Sequence, residues 1–476
     1  MGRGLAPLLD AHPDLSGFIT LGQGEEAFSL RLQMIEAAQR SIDTQYYIWH
    51  DDLTGRVMHN QLLAAADRGV RVRLLLDDMD TAGKDEMLHT IDTHPNIEIR
   101  LFNPFANRNI RGLDFVTDTR RVNRRMHIKT LTGDNQVTIF GGRNIGDEYF
   151  GADENVGFGD MDVLAVGPIV PEVSSQFDLY WNSEWVYPLA EFRNSEAITT
   201  AQFEAFRKSS DTYLKEAIDS KYAEVLRELT LPDVNNFSKI DFTWSRWLLA
   251  YDQPSKVVAR EVGATTHLGP TLKMGLDKTQ NELIIVSPYF VPGPEFTQYL
   301  VDTVKRGVRV RILTNSLEAN DVSLVHAGYM RYRKDLVAGG IELYELRATG
   351  TRKMRKQLSR ENRLGSSHSS LHAKIFGFDR RYLFIGSFNV DARSVALNAE
   401  LGAYFESIPH ATKLSGIFDG VLNRLAYRVL LDDSGKLEWL TLVEGEEVRV
   451  SKEPDTSWWR RVSTRFLSWI VPESQL

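Results

Sequence analysis

Two stretches of the chain carry the same set of residues that could act on a phosphate ester. Both follow the pattern H-x-K-x4-D-x6-G-[GS]-x-N, where x is any residue. The positions shared by the two copies are His127, Lys129, Asp134, Gly141 and Asn144 in the first, and His372, Lys374, Asp379, Gly386 and Asn389 in the second. Corresponding positions are all 245 residues apart. An imidazole, an ammonium and a carboxamide at fixed spacing could together bind and attack a phosphate.

The spacing within each copy predicts a β-hairpin. Side chains alternate along a strand, so His127 and Lys129 should point the same way. Asp134 lies midway between His127 and Gly141 in the turn-forming sequence Gly-Asp-Asn. It is about five residues, roughly 17 Å of strand, from the lysine. We therefore predict that Asp134, and Asp379 in the second copy, stabilise the hairpin and do not contact the substrate.

Two complete copies of these residues suit phosphoryl transfer without a metal. One neutral histidine would attack phosphorus and form a phosphohistidine. The other, protonated, would donate a proton to the leaving alkoxide. The lysines and asparagines would neutralise and orient the non-bridging oxygens. An ammonium competes with a cation for the same space, so we expect no metal and no other cofactor.

Two histidines in opposite protonation states need different environments, and a carboxylate behind an imidazole can supply one. Glu400 follows His372 by 28 residues, and Asp160 and Asp162 follow His127 by 33 and 35. Asp160 and Glu400 each open a strand-like run of alternating apolar residues. We therefore expect these two to support the histidines. The alternative is that they are solvated strand ends.

The segments around the motifs repeat as well. The sequence RGVRVR occurs at 68–73 and again at 306–311, each time after a helix-like stretch. In each half the order is strand, helix, strand, helix, strand, which predicts βαβ units and a largely parallel sheet covered by helices. We interpret this as a duplicated α/β domain. Two unrelated α/β domains with a common G-V-x-V pattern are the alternative.

The paired motifs resemble those of the phospholipase D superfamily. The segments QYYIWHDDLTGR, RGVRVRLLLDD, LFNPF, NRRMHIK and GGRNIGDEYF are similar to those of bacterial cardiolipin synthases, in particular their C-type branch. The resemblance implies two duplicated phospholipase D-like α/β/α sandwich domains that face each other with a shared active site. It also implies that His127 is the nucleophile and His372 the general acid and base.

The same resemblance implies a substrate and a place of action. The enzyme would transfer a phosphatidyl group to the glycerol hydroxyl of phosphatidylglycerol, with phosphatidylethanolamine or a second phosphatidylglycerol as donor. It would act as a monomer, peripherally bound to the inner membrane of a bacterium. Competing functions are a phospholipase D that uses water, a phosphatidylserine synthase-like transferase, a nuclease and a non-catalytic lipid-binding protein.

Composition bears on these alternatives. The net charge is −8, which argues against nucleic acid as a partner. The chain has no cysteine, so disulfides and thiolate chemistry are excluded. No apolar run approaches the roughly 20 residues of a membrane span, and no signal peptide is visible.

Two basic stretches lead into the motifs and predict basic borders to the active site, which suit anionic lipid head groups or nucleic acid backbones. The first contains Arg108, Arg111, Arg120, Arg121, Arg124 and Arg125, and the second Arg347, Arg352, Lys353, Arg355, Lys356, Arg360 and Arg363. Solvated loops without a partner are the alternative.

Four regions follow from these patterns. We predict a first phospholipase D-like domain over 1–190, a helical linker over 191–247, a second such domain over 248–450 and an amphipathic helix over 451–476. On that helix the apolar residues form one stripe of Trp459, Val462, Phe466, Trp469 and Ile470. Aromatic residues interleaved with arginines are typical of a membrane interface. The alternative is a helix docked on the domain core.

Overall fold

The computed structural model describes residues 2–153, 156–192, 198–229, 232–234, 236–257, 268–320, 322–348, 368–443 and 445–470. The chain divides into two compact units. The first unit comprises Met1–Asp153, Asp162–Arg260 and Asn398–Leu401. The second comprises Glu154–Met161, Glu261–Leu397 and Gly402–Leu476. Each unit therefore includes a short segment from the other half of the sequence.

Strands and helices are numbered along the chain. The strands are β1 (Ser16–Leu21), β2 (Ser41–Tyr46), β3 (Arg71–Asp77), β4 (Ile97–Phe102), β5 (Thr130–Gly133), β6 (Val137–Gly141), β7 (Val156–Gly159), β8 (Asp162–Val166), β9 (Val186–Pro188), β10 (Thr243–Ser245), β11 (Trp247–Tyr251), β12 (Glu282–Val286), β13 (Arg309–Asn315), β14 (Glu342–Leu346), β15 (His368–Leu371), β16 (Ile375–Phe378), β17 (Tyr382–Gly386), β18 (Leu401–Glu406), β19 (Ala426–Leu431), β20 (Leu437–Val443) and β21 (Glu446–Val450). The helices are α1 (Gly2–Ala11), α2 (Gly24–Ala37), α3 (Leu53–Asp67), α4 (Asp85–Ile91), α5 (Arg111–Thr117), α6 (Thr119–Val122), α7 (Asp147–Phe150), α8 (Ile169–Trp181), α9 (Thr200–Ile218), α10 (Lys221–Glu228), α11 (Leu268–Lys278), α12 (Gly293–Lys305), α13 (Ser323–Tyr329), α14 (Arg333–Ala338), α15 (Ala392–Ala396), α16 (Ile408–Gly416), α17 (Leu422–Leu425) and α18 (Trp458–Ile470).

The first unit is built on a mixed sheet with strand order β10-β1-β8-β6-β5-β2-β3-β4-β9. Its centre is the parallel set β2, β3 and β4, connected by α3 and α4. This confirms the predicted order of strand, helix, strand, helix, strand. The parallel strands are buried on both faces, as their near-continuous apolar sequence requires; Leu74, Leu75 and Ile99 are at most 1% exposed. The first motif forms the antiparallel hairpin β5-β6, which pairs with β2.

The second unit repeats this plan. Its strands follow the order β18-β17-β16-β12-β13-β14-β19-β20-β21, again with three parallel strands, β12, β13 and β14. The second motif forms the hairpin β16-β17, which pairs with β12. The same arrangement in both units confirms the predicted duplication of an α/β domain. A separate pair of parallel strands, β7 and β15, also belongs to this unit.

The described residues of the polar stretch 191–247, for which we predict a helical linker, pack on the first unit. It contains α9 and α10, and α9 packs against α3 and α4 while α10 packs against α2. Arg207 of α9 forms an ion pair with Asp67 at 2.6 Å. Strand β10 then pairs antiparallel with β1.

The motif aspartates occupy the hairpin turns. Asp134 and Asn135 have φ angles of 52° and 54°, and Asp379 and Arg380 have 53° and 54°. Two successive residues with positive φ are the conformation of a tight type I′ hairpin turn. The carboxylate of Asp134 accepts hydrogen bonds from the backbone N–H groups of three residues, Gln39, Arg40 and Ser41, at 2.7–3.1 Å. Asp379 does the same for Gln280, Asn281 and Glu282. Each aspartate thus ties its hairpin to the start of β2 or β12.

We expect Asp134→Ala to destabilise the protein without altering its chemistry. The substitution leaves three backbone N–H groups without their charged acceptor, which should lower the free energy of unfolding by about 1.5–3 kcal/mol. Asp134→Asn keeps one acceptor oxygen and tolerates positive φ, so it should lose less. Denaturant titration measures both, and kcat per folded molecule should stay within twofold of wild type. A large loss of kcat at unchanged stability would show that the aspartate acts in the reaction.

Candidate active site

The first half-site is built around His127, just before β5. Its backbone N–H donates to the carbonyl of Ala399 at 2.8 Å, and the N–H of Ala399 donates to the carbonyl of Arg125 at 2.8 Å. This bridge places Glu400 beside the imidazole. Nδ1 of His127 lies 2.9 Å from Oε2 of Glu400. The histidine is 6% exposed and Glu400 is fully buried, so the pair is shielded from water on the carboxylate side.

A second acid fixes the backbone of Glu400. The N–H of Glu400 donates to Oδ2 of Asp252 at 2.8 Å, and the N–H of Asp252 donates back to the carbonyl of Glu400 at 2.9 Å. Lys256 neutralises Asp252 at 2.8 Å. Arg124 in turn donates to the carbonyl of Lys256 at 2.6 Å. A buried carboxylate is tolerated where its charge is paired and hydrogen-bonded, and these contacts provide that for Asp252, which in turn fixes the backbone of Glu400.

The second half-site has the same design in the second unit. The backbone N–H of His372 donates to the carbonyl of Gly159, the last residue of β7, at 2.8 Å. The next residue, Asp160, then lies beside the imidazole, with Oδ2 2.6 Å from Nδ1 of His372. Its other oxygen accepts from the N–H of Met161 at 2.7 Å. Gly159 and Asp160 therefore correspond to Ala399 and Glu400.

The structure pairs the carboxylates and histidines across the two motifs. Glu400 follows His372 in the sequence but contacts His127, and Asp160 follows His127 but contacts His372. Asp162 is not beside a motif histidine; it accepts from Arg31 at 2.9 Å. The sequence signal that both Asp160 and Glu400 open a strand identified the carboxylates. It could not reveal which histidine each one meets, because that is set by the residue before each carboxylate, Ala399 or Gly159, whose carbonyl accepts from the histidine N–H of the other motif.

Each lysine lies close to its own histidine. Nζ of Lys129 donates to the carbonyl of His127, and Nζ of Lys374 donates to the carbonyl of His372. Nζ of Lys374 also lies 3.0 Å from Nδ1 of His372. Both lysines are at most 1% exposed. A buried ammonium two residues from an imidazole supplies positive charge that a bound phosphate anion could use.

The two asparagines have different surroundings. Oδ1 of Asn144 accepts from the N–H of Ile48 at 3.2 Å, and its Nδ2 donates to the hydroxyl of Tyr149 at 3.0 Å. Oδ1 of Asn389 is buried and has no hydrogen-bond partner among the described residues. Asn144 therefore holds local structure through both ends of its amide. The two asparagines therefore differ in their contacts, and the expectation that both orient phosphate oxygens stays a prediction.

An aromatic ring contacts each histidine. The ring of Tyr47 lies edge-on to His127 with centroids 5.2 Å apart, and that of Phe158 lies 5.4 Å from His372. The ammonium of Lys129 is 5.4 Å from the Tyr47 centroid. Tyr46, by contrast, is a core residue whose hydroxyl accepts from Arg31 at 3.0 Å. Phe158 was not singled out from the sequence, because only the pairing of β7 with β15 brings it to the histidine.

Polar residues at the ends of β3 and β13 hold the residue before each histidine. Asp77 accepts from the N–H of Met126 at 2.8 Å and forms an ion pair with Arg125 at 3.3 Å. Burial raises the pKa of Asp77 to about 6, although Arg125 opposes the shift. At the corresponding place, the side chain of Asn315 accepts from the N–H of Leu371 at 2.8 Å and donates to its carbonyl at 3.0 Å.

The arginines of the first basic stretch mostly form internal contacts. Arg125 is fully buried, Arg108 forms ion pairs with Asp78 and Asp85, and Arg121 pairs with Asp118. This stretch therefore stabilises the fold more than it forms a basic border. In the second stretch only Arg347 is described; the basic residues over 352–363 lie outside the described residues.

One group of described residues in the first unit has metal-ligand chemistry. Donor atoms of His50, Asp52 and Glu148 lie within 4.8 Å of one another. The hydrogen bond to Glu148, at 3.2 Å, raises the pKa of His50 above its ordinary value, although partial burial opposes this. Asp52 is already engaged, because it accepts from the N–H of Gly55 and caps α3. We interpret the group as a hydrogen-bonded network at the start of α3.

The fold and the duplicated half-sites define a class of phosphodiester-processing proteins, and the comparisons agree. The family described as cardiolipin synthase, PLD-like domain, matches residues 32–181 and 272–422, and so covers both motifs. The chain is 41% identical over 480 residues to cardiolipin synthase C of Escherichia coli, covering 99% of this chain and 98% of that protein. The chain belongs to the cardiolipin synthase family of PLD-like proteins.

Two further proteins resemble the chain at lower identity. A cardiolipin synthase of Staphylococcus aureus is 24% identical over 410 residues, which cover 83% of this chain and 65% of that protein. The crystal structure of the phosphatidylserine synthase of Haemophilus influenzae superposes with a TM-score of 0.59 at 15% identity, over 98% of this chain and 96% of that one. At that identity the superposition shows a common fold.

We expect neutralising either buried carboxylate to impair turnover while leaving the fold intact. Glu400→Gln and Asp160→Asn keep the shape but present an amide to Nδ1, which removes the charge and can select the wrong tautomer. Losing the charge behind a catalytic histidine should lower kcat by roughly 10²–10⁴-fold. KM and the melting temperature should change little.

Glu406→Gln is a matched control, since Glu406 ends the strand β18 that follows Glu400 and pairs with Arg381 at 2.9 Å. It should keep kcat near wild type. Values of kcat within threefold of wild type for both site variants would contradict a positioning role for these carboxylates.

Proposed function

We propose that the protein is a phosphatidyltransferase that makes cardiolipin by transferring a phosphatidyl group from a donor phospholipid to phosphatidylglycerol. The observation that carries the proposal is the presence of two half-sites, each with a histidine on a buried carboxylate and a lysine at the histidine. The family membership, and the 41% identity to a cardiolipin synthase over nearly the full length of both chains, support the lipid substrate.

In the proposed reaction, Nε2 of neutral His127 attacks the phosphorus of the donor. The bond between phosphorus and the head-group oxygen breaks, and protonated His372 gives its proton to that oxygen. His372, now neutral, takes the proton of a glycerol hydroxyl of phosphatidylglycerol. The hydroxyl oxygen attacks the phosphohistidine, the phosphorus–nitrogen bond breaks, and both histidines return to their starting states. Lys129 and Lys374 balance the charge on the non-bridging oxygens.

One chain holds both motifs, so we propose that a monomer is sufficient for the reaction. Phosphatidylethanolamine and a second phosphatidylglycerol are both suitable donors, since the motif chemistry acts on the phosphodiester that they share. Among the described residues, no helix has both the length and the apolar character needed to span a bilayer. We propose peripheral association with a bacterial inner membrane, where both lipids are found together.

The direct test of this function is the lipid product. Purified protein is incubated with vesicles of isotope-labelled phosphatidylglycerol, with and without phosphatidylethanolamine, and the lipids are analysed by mass spectrometry. We expect labelled cardiolipin in EDTA-containing buffer, because lysines supply the positive charge. Release of ethanolamine or of glycerol identifies the donor.

Other products would contradict the proposal in distinct ways. Phosphatidic acid without cardiolipin would indicate a phospholipase D that uses water. Activity that EDTA abolishes and one divalent ion restores would indicate a metal-dependent mechanism. Cleavage of single-stranded DNA without any lipid product would indicate a nuclease.

The roles of the two histidines can be separated with a donor that needs no acid. With phosphatidyl-p-nitrophenol, the leaving group departs without a proton. We therefore expect His372→Ala to release one equivalent of nitrophenolate in a burst and to retain a phosphatidyl group on His127. Asp160→Asn should behave similarly, whereas His127→Ala should show no burst. Stopped-flow absorbance and peptide mass spectrometry provide the measurements.

A burst in His127→Ala, with the adduct on His372, would reverse the roles. Steady turnover in both histidine variants within tenfold of wild type would rule out a mechanism that uses both histidines.

A further inference from the structure

The helix α18 docks on the second unit through its polar side. It packs against α13, with Thr464 only 1% exposed. Arg460 donates to the carbonyl of Asn320 at 3.0 Å, and Arg331 donates to the carbonyl of Ser468 at 2.8 Å. A helix on the surface of a globular protein ordinarily buries its apolar side. In α18 the polar side contacts the protein instead.

The apolar side of α18 is consequently exposed. Trp458, Trp459, Val462 and Phe466 have 57%, 74%, 43% and 62% of their surface exposed. The sequence suggested either a membrane interface or docking on the core, and the helix is docked while keeping these four residues of the apolar side outside. The side chains of Trp469 and Ile470 lie outside the described part of the chain. Clustered exposed aromatic residues on a folded protein mark a surface that contacts another apolar phase.

A groove of about 1210 Å³ runs along this helix. We call it the C-terminal groove; it lies between α18, α14 and the turn before β20. Trp458, Val462 and Phe466 contribute apolar lining from α18. The volume exceeds the roughly 300–1,000 Å³ of sites for small molecules, so it has room for a head group together with part of its acyl chains.

The polar lining of the C-terminal groove is strongly basic. Its cationic residues are Arg331, Arg333, Lys334, Lys436, Lys452, Arg461 and Arg465. Glu453 is the acidic lining residue, and it forms buried ion pairs with Arg333. The groove thus joins a positive rim to an aromatic wall, which complements a phosphate attached to a hydrocarbon chain.

We infer that the C-terminal groove is a second, non-catalytic binding site for an anionic phospholipid of the bilayer. The lipid phosphate would contact cations such as Arg465 and Lys436, and its acyl chains would lie against Trp458 and Phe466. The motif residues take no part in this binding. The site would hold the second unit on membranes that contain anionic phospholipid. Membrane binding of the protein would then depend on the anionic lipids that the proposed reaction consumes and produces.

The experiment measures vesicle binding in a His127→Ala background, so that no lipid is turned over and the result does not depend on the proposed function. The full-length protein is sedimented with vesicles of phosphatidylcholine alone and with vesicles that also contain phosphatidylglycerol or cardiolipin. We expect at least tenfold tighter binding to the anionic vesicles.

Two pairs of groove substitutions should weaken that binding. Arg465→Glu with Lys436→Glu should reduce affinity for anionic vesicles at least tenfold and remove most of its salt dependence. Trp458→Ala with Phe466→Ala should reduce affinity at least fivefold and leave the salt dependence in place. Lys413→Glu and Ile408→Ala, on α16 of the same unit, are matched controls that should bind as the parent does. Thermal unfolding verifies that each variant is folded.

Anionic-vesicle affinities within twofold of the parent for both pairs would overturn the inference. Equal losses in the α16 controls would also overturn it, because the effect would then reflect overall charge or hydrophobicity. Binding of inorganic phosphate in solution that Arg465→Glu with Lys436→Glu abolishes, together with equal binding of the parent to neutral and anionic vesicles, would show that the groove binds free phosphate and not lipid. Placed in the wild-type background, the groove variants should retain transfer activity on detergent-solubilised lipid, which separates a failure of the groove from a failure of the proposed chemistry.

Discussion

The buried hydrogen bond between a histidine and a carboxylate is the constraint on which the rest of the architecture depends. An imidazole needs a hydrogen-bond acceptor at Nδ1 if it is to hold one tautomer and direct Nε2 at phosphorus. A buried carboxylate, in turn, is stable only where its charge and its backbone are both satisfied. The pairs of His127 with Glu400 at 2.9 Å and His372 with Asp160 at 2.6 Å meet both conditions. Those distances are maintained by three features: the motif hairpins, the backbone hydrogen bonds at Ala399 and Gly159, and the supporting residue Asp252.

The two half-sites share a plan but differ in detail. The residue before the histidine is held by a buried, ion-paired Asp77 in one unit and by the neutral amide of Asn315 in the other. The ammonium of Lys374 lies beside Nδ1 of its histidine, whereas that of Lys129 lies over Tyr47. Asn144 is fixed at both ends of its amide, and Asn389 retains a buried oxygen without a partner among the described residues. A reaction that needs one nucleophile and one acid benefits from such unequal surroundings, since identical environments would give the two histidines the same proton affinity.

Much of this could be predicted from the sequence, for reasons that are local. The turn at Asp134 follows from its neighbours, and the parallel core follows from the repeated strand and helix pattern around RGVRVR. The importance of Asp160 and Glu400 could be predicted from the alternating apolar runs that follow them in the sequence. What could not be predicted depends on tertiary structure. Examples are which histidine each carboxylate contacts and the internal ion pairs of Arg125 and Arg108. Another is the outward orientation of the aromatic side of α18. Sequence spacing carries no information about which strand joins which sheet when the partner is hundreds of residues away.

Glu154–Met161 belongs to the second unit and Asn398–Leu401 to the first, so neither unit can be completed from one half of the sequence during synthesis. Glu400 follows His127 by 273 residues. During synthesis, His127 therefore lacks its carboxylate partner until most of the second half of the chain has been translated. The first unit can form its sheet early, but its reactive centre stays incomplete until the segment Asn398–Leu401 is added. The reverse holds for Asp160, which is made early and waits 212 residues for His372. A nascent or truncated chain therefore holds an unsupported imidazole or an unpaired acid, and phosphoryl chemistry is withheld until translation is nearly finished.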